Sequence, residues 1–179
     1  MSEKALFLDR DGVINYDYGY VHGRENFNFI PGIFDLARNA NKKKYKIVVI
    51  TNQSGIARGF YSESIFLQLT DWMCQQFLEA GAPIEKVYFS PYHPTAGIGQ
   101  YLKNAYCRKP NPGMILKAQE ELSIDLTQSI LVGDKLSDIQ AGNSAGVGKN
   151  LLIGKERPDC SESLHYSLVN SLYDVMGHL

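Results

Sequence analysis

Short apolar runs that stop abruptly at polar residues alternate along this chain with longer stretches of helical periodicity, and this alternation constrains the fold most. The runs are Lys4 to Leu8, Tyr45 to Ile50, Lys86 to Phe89, Ser129 to Val132 and Lys149 to Ile153. They are too short for helices and are bounded by turn-forming residues, so they read as buried strands. Between the first two, Ile33, Leu36, Ala37 and Ala40 share one face of a helix over Ile33 to Lys44, whose terminal Lys42, Lys43 and Lys44 suit the solvated negative end of the helix dipole. Ser62 is the expected N-cap of the longest helix, through about Ala80, with a core-facing stripe of Ile65, Leu69, Trp72, Met73 and Phe77. Pro112 opens a helix through Met114, Leu116, Ala118 and Leu122. Ser137 opens another that ends at Ala145 before Gly146, and Leu164 to Met176 reads as a last helix. Such a pattern predicts an α/β protein: a doubly wound, Rossmann-like, mostly parallel sheet with helices on both faces. With 179 residues and no repeat or linker, the chain is expected to form one domain over 1–179.

Composition narrows the function classes. Lys plus Arg number 18 and Asp plus Glu 19, for a net charge of −1, so no basic footprint for nucleic acid or an anionic membrane is expected. Cys74, Cys107 and Cys160 are widely spaced and odd in number, which suits a reducing compartment and no disulfide framework. Ala5 to Leu8 is too short for a signal peptide, and no stretch approaches the ~20 apolar residues of a membrane span. A cytoplasmic location follows as the expectation.

In sheets of this kind, ligands bind beyond the carboxyl ends of the strands. The first strand ends in Asp9 and Asp11, the second in Thr51 and Asn52, and the fourth in Asp134 with Asp138 following. Lys109 precedes the third helix, at the end of an irregular stretch from Ser90 to Asn111 whose length points to a functional loop. Grouped carboxylates repel unless a cation compensates them, and hard oxygen donors in an open site favour Mg²⁺. A lysine and a threonine hydroxyl beside such an ion would hold an anion. This inventory suits phosphoryl transfer, which needs positioning and charge neutralisation and which a carboxylate nucleophile can split into two steps.

Asp9-Arg10-Asp11-Gly12-Val13, Thr51-Asn52, Lys109 and Gly133-Asp134-Lys135-Leu136-Ser137-Asp138, in that order, resemble the four motifs of the haloacid dehalogenase-like phosphatases over residues 4 to 153. Within that superfamily, three stretches resemble the D-glycero-D-manno-heptose 1,7-bisphosphate 7-phosphatases: Asp17 to His22 (DYGYVH), Thr51 to Gly59 (TNQSGIARG) and Cys107 to Pro110 (CRKP). The histidinol-phosphate phosphatases share the DRDG and RKP elements but lack the other two. The resemblance implies Asp9 as nucleophile, Asp11 as acid and then base, and Thr51 and Lys109 on the transferring phosphoryl group. It implies Mg²⁺ held by Asp9, the backbone carbonyl of Asp11, and Asp134. Asp17, Tyr18, Gly19, Tyr20, Asn52, Gln53, Ser54, Arg108 and Lys135 match the family's substrate contacts, with Arg108 suited to a second phosphate. The implied substrate is a small sugar bisphosphate of nucleotide-heptose biosynthesis, and the implied state is a monomer. Only Asn15 to Ile30 occupies the usual place of a first cap, so no large cap domain is expected.

The family's zinc loop, C-x-H-x(n)-C-x-C before the RKP element, aligns with Ser90, Tyr92, Ala105 and Cys107. Three of the four ligands are missing, and zinc is not expected. Instead Tyr92, Pro94, Tyr101 and Tyr106 are the expected anchors of this loop. Asp138 reads as a helix N-terminal acid that orients the site rather than a metal ligand. Gly146-Val147-Gly148-Lys149 lacks the spacing of a phosphate loop. Two rivals remain: a phosphatase of histidinol phosphate or another small ester, and an inactive sugar-phosphate-binding protein. Retention of both Asp9 and Asp11 speaks against the second.

Overall fold

The computed structural model describes residues 3–156 and 163–179; Cys160 lies outside them, and Cys74 and Cys107 are free thiols. Five strands fall where the apolar runs are: β1 (Lys4–Leu8), β2 (Tyr45–Asn52), β3 (Ile84–Ser90), β4 (Ile130–Gly133) and β5 (Lys149–Ile153). A sixth, β6 (Ser167–Val169), occupies the first half of the stretch expected to be a terminal helix. Ser171 and Asp174 form a capping box there, which confines the helix α6 to Leu172–Met176.

All six strands pair in parallel, in the order β3-β2-β1-β4-β5-β6. Alternation along β1 shows why both faces are dry. Leu6 and Leu8 join one buried cluster with the inward faces of α1 (Ile33–Lys42), α3 (Glu63–Glu79, after the one-turn α2, Ser54–Ala57) and α6. Ala5 and Phe7 join another, with α4 (Gly113–Leu122) and α5 (Leu136–Ala145). A strand covered on both sides must be apolar throughout, which is why these runs show no polar alternation. The crossovers move outward from β1 through α1 and α3 to β3; α4 then returns the chain to β4 beside β1, and α5 leads outward the other way. The chain therefore reverses between β1 and β4, and this switch point opens the crevice at their carboxyl ends.

Two details of packing differ from the sequence pattern. The buried face of α3 runs through Phe66, Leu69, Thr70, Met73 and Phe77; Ile65 is exposed, and Phe66 takes its place against Phe89, with ring centroids 4.5 Å apart. In the loop between β3 and α4, Tyr106 and Pro94 are exposed rather than anchoring, while Pro91 and Ala105 are buried. Tyr101 does pack onto the small cluster of Ile56, Tyr61 and Phe66. Asn15 to Ile30 is a short excursion, pinned by Val21 and Phe27 in the core. Among the described residues, no helix is long and apolar enough to cross a membrane.

Candidate active site

The carboxyl ends of β1, β2 and β4 surround a polar cavity of about 580 Å³. Asp9 follows β1 directly. Its carboxylate accepts from the Arg10 backbone N–H at 2.7 Å, and its Oδ1 lies 3.0 Å from Lys109 Nζ. Lys109 reaches in from the loop before α4. Its ammonium also meets Asp138 at 2.6 Å and donates to the Ile50 carbonyl at 2.9 Å. Burial disfavours the charge on Lys109, but Asp138 and Asp9 outweigh it and hold its pKa above the usual range. Asn52 spends its side-chain amide on the Lys109 backbone, donating at 3.0 Å to the carbonyl and accepting at 3.1 Å from the N–H. A residue expected to touch substrate therefore also fixes the lysine loop to the end of β2.

Asp9, Asp134 and Asp138 each bring a carboxylate oxygen within 4.8 Å of the others. Asp138 caps α5 by accepting from the Lys135 N–H at 3.0 Å. Burial raises the Asp9 carboxyl to about 8; Lys109 opposes this, while Asp138, Asp134 and Asp11 add to it. Asp134 is raised to about 6, mainly by burial, and its Oδ1 is buried without a hydrogen-bond partner. One lysine does not neutralise this group of acids. Gly12 makes the cluster possible. It takes φ +89°, and a Cβ there would lie 2.2 Å from Asp134 Oδ2.

Asp11 is held by three side chains. Its carboxylate accepts from Arg10 Nε at 3.1 Å and Nη2 at 2.9 Å, from Asn15 Nδ2 at 3.0 Å and from Gln53 Nε2 at 3.1 Å. Arg10 is 1% exposed, with its guanidinium near the Phe27 and Phe66 rings. Thr51 is buried at the end of β2, and its Oγ1 accepts from Gln53 Nε2 at 2.9 Å.

At the cavity mouth, Lys135 Nζ lies 3.1 Å from Asp17. Burial alone would raise the Asp17 carboxyl, but the Gly19 N–H and Lys135 hold it below its ordinary range. Gly19, Tyr20, Ser54 and Arg108 line the same cavity. Arg108 is half-buried and donates to the Tyr92 carbonyl at 3.1 Å; burial and the neighbouring Arg58 lower its pKa. Of the expected contacts, Tyr18 stands apart. It is 62% exposed and stacks on Tyr16. Arg10, Asn15 and Tyr61 are the polar residues of the site that the sequence pattern did not single out. Only the position of Arg10 between the two acids hinted at its part.

Where zinc ligands stand in the resembling family, Cys107 Sγ donates to Ser90 Oγ at 3.4 Å, and Ala105 supplies no donor atom. His93 Nδ1 accepts from the backbone N–H groups of Thr95 and Ala96. This donor set does not fit a tetrahedral thiolate site.

Fold and site together define a haloacid dehalogenase-like hydrolase, and residues 106–174 match the family model described as HAD-hydrolase-like. The chain is 58% identical over 153 residues (86% of this chain, 81% of the relative) to D-glycero-alpha-D-manno-heptose-1,7-bisphosphate 7-phosphatase of Burkholderia mallei. It is 45% identical over 181 residues (100% and 97%) to the beta-anomer enzyme of Vibrio cholerae. Among solved structures it superposes with a TM-score of 0.82 at 26% identity, covering 98% and 97% of the chains, on the D,D-heptose 1,7-bisphosphate phosphatase of B. bronchiseptica complexed with magnesium and phosphate. The chain belongs to the D-glycero-D-manno-heptose-1,7-bisphosphate 7-phosphatase family.

Proposed function

We propose that this chain is a Mg²⁺-dependent phosphatase that removes the 7-phosphate of D-glycero-D-manno-heptose 1,7-bisphosphate. The observation that carries this is the pairing of Asp9 with Lys109 at 3.0 Å, beside acids that the lysine alone does not neutralise. The orphaned Asp134 oxygen and the raised Asp9 and Asp134 carboxyls fit a hard divalent cation. Asp9, Asp134 and the Asp11 carbonyl would hold Mg²⁺ there. Such an ion supplies charge neutralisation of phosphoryl oxygens.

Asp9 attacks phosphorus in line, forming an aspartyl-phosphate as the bond to the sugar oxygen breaks. Asp11 gives that oxygen its proton, then takes one from the water that hydrolyses the intermediate and returns Asp9 and free phosphate. Thr51 and Lys109 hold the transferring oxygens. Arg108, which has no carboxylate partner among the described residues, receives the distal phosphate. Asp17, Gly19, Tyr20, Asn52, Gln53, Ser54 and Lys135 shape the mouth over the sugar. The proposal takes residues 1–179 as one domain working as a cytoplasmic monomer on a small sugar bisphosphate, without zinc. A balanced charge and the polar crevice at the strand ends support that part.

The test compares kcat/KM on both heptose bisphosphate anomers with that on histidinol phosphate, because the ratio reports differential transition-state binding. The bisphosphates should lead by at least about 100-fold, a margin that polar recognition of a second anion supplies. A preference for histidinol phosphate would overturn the substrate.

A further inference from the structure

Tyr61 lies at the far end of a buried hydrogen-bond chain that no part of the reaction has yet used. Its hydroxyl donates to Gln53 Oε1 at 2.6 Å. The other end of that amide, Nε2, donates to Asp11 Oδ2 at 3.1 Å and to Thr51 Oγ1 at 2.9 Å. Gln53 is 2% exposed and Tyr61 6%. The Tyr61 ring is held independently of its hydroxyl. It stacks on His22 at 4.9 Å with planes 15° apart. Gly55 leaves it room, since a Cβ there would lie 2.2 Å from a ring carbon.

We infer that Tyr61 is a positioning residue: by donating to Gln53 Oε1 it fixes the orientation of the amide, and the amide in turn aims Asp11 and Thr51 at the reacting phosphate. This deepens the phosphatase reading and rests on it. The logic is one of donors and acceptors. An amide seen from either end is nearly the same shape, and only its partners decide which end faces Asp11. Tyr61 presents a donor at one end, and burial pushes its phenol up to about 12, so it keeps its proton. The acceptor-only Asp11 carboxylate draws the NH₂ group, and the Tyr61 donation to Oε1 holds the amide that way round. The same NH₂ occupies an acceptor position of Thr51 Oγ1, which leaves the threonine O–H to donate to a phosphoryl oxygen. Were the amide free to turn, Asp11 and Thr51 would both lose the donor that aims them.

Tyr61→Phe keeps the ring and removes the proton that sets the amide. Gln53→Met removes the amide. Single-turnover transfer is measured on heptose 1,7-bisphosphate, on a simple alkyl phosphate and on p-nitrophenyl phosphate, whose leaving group needs no proton. Tyr61→Phe should lower the rate on both alkyl esters about tenfold, the lower end of what a positioned general acid is worth, with KM nearly unchanged and a clearly smaller loss on the aryl ester. In the Gln53→Met background, Tyr61→Phe should cost nothing further, since coupled residues do not add. Equal losses on alkyl and aryl esters, additive losses in the double variant, or a rise in KM with kcat retained would each overturn the inference. If wild type cleaves the simple alkyl and aryl esters but not the heptose, the substrate reading fails while the leaving-group comparison still decides this one. If it cleaves none of them, both fall.

Discussion

Binding of Mg²⁺ to this site should release about one proton at neutral pH. Without metal, the Asp9 carboxyl stands at about 8 and that of Asp134 at about 6. At pH 7 these values leave Asp9 roughly nine-tenths protonated and Asp134 roughly one-tenth, about one proton in all, and both must ionise to act as ligands. The affinity should therefore tighten about tenfold per pH unit around pH 7, more steeply below pH 6, and level off above pH 8. An acid whose pKa is higher folded than unfolded stabilises most below its unfolded value of 3.8, and that contribution is lost as pH rises through about 8 for Asp9 and about 6 for Asp134. Lys109, held above its ordinary range, stays charged throughout this window. The metal-free protein should thus lose thermal stability from about pH 4 to pH 8, and the gain in Tm on adding Mg²⁺ should widen over the same interval. Titration calorimetry in two buffers of different ionisation heat counts the protons directly. A dissociation constant independent of pH between 6 and 8, with no buffer-dependent heat, would refute the reasoning and show that Lys109 alone keeps Asp9 ionised.

Three other perturbations separate the parts of the site. Asp9→Asn, nearly isosteric, should abolish turnover and aspartyl-phosphate formation while circular dichroism stays that of wild type; activity near wild type would remove Asp9 as nucleophile. Asp11→Asn should lower kcat by about 10²–10⁴-fold, because the leaving alkoxide then lacks a proton donor. Arg108→Ala should raise KM for the bisphosphate far more than for a heptose 7-monophosphate, as only the former offers a distal anion. Equal losses on the two would place Arg108 on the reacting phosphate or in the fold.

Much of this architecture was legible because both faces of the sheet are covered. A strand such as Lys4 to Leu8 must then be apolar at successive positions and must end where the crevice begins, so Asp9 and Asp134 announce the site by where the apolar runs stop. The edge strand β6 carries no such signal. It is three residues long, and helical periodicity on either side absorbs it. Ile65 and Phe66 show a related limit: a first-turn residue can be placed on the apolar stripe by spacing and still face solvent. The site's polar network was hidden for a different reason. Arg10 and Tyr61 are residue types usually found at the surface, and only the fold buries them beside an acceptor. Gln53 was expected at the site, but whether its amide meets substrate or the catalytic acid depends on Tyr61, eight positions along the chain.

The loop that aims Arg108 into the cavity is the part where this chain departs most from its family's pattern, and its behaviour toward metal can be worked out. A structural zinc site needs four good ligands in tetrahedral array. Of the four aligned positions only Cys107 offers a thiol, and that thiol donates to the buried Ser90 hydroxyl. His93 lies nearby, but its Nδ1 is engaged by two backbone N–H groups. What closes the loop instead is backbone pairing. The His93 N–H donates to the Tyr101 carbonyl at 3.1 Å, and the Lys103 N–H to the His93 carbonyl at 3.1 Å. Arg108 Nη1 then ties its own guanidinium to the Tyr92 carbonyl. These bonds need no metal, so chelation should leave the loop's structure intact. Protein dialysed against chelator should contain substoichiometric zinc, keep its circular dichroism, and regain full activity on Mg²⁺ alone. Ser90→Ala should then loosen the loop, because Cys107 would lose its acceptor, and should raise KM for the bisphosphate with little change in kcat. Stoichiometric zinc surviving dialysis, or loss of structure on chelation that Mg²⁺ does not restore, would show that a metal holds Arg108 in place after all.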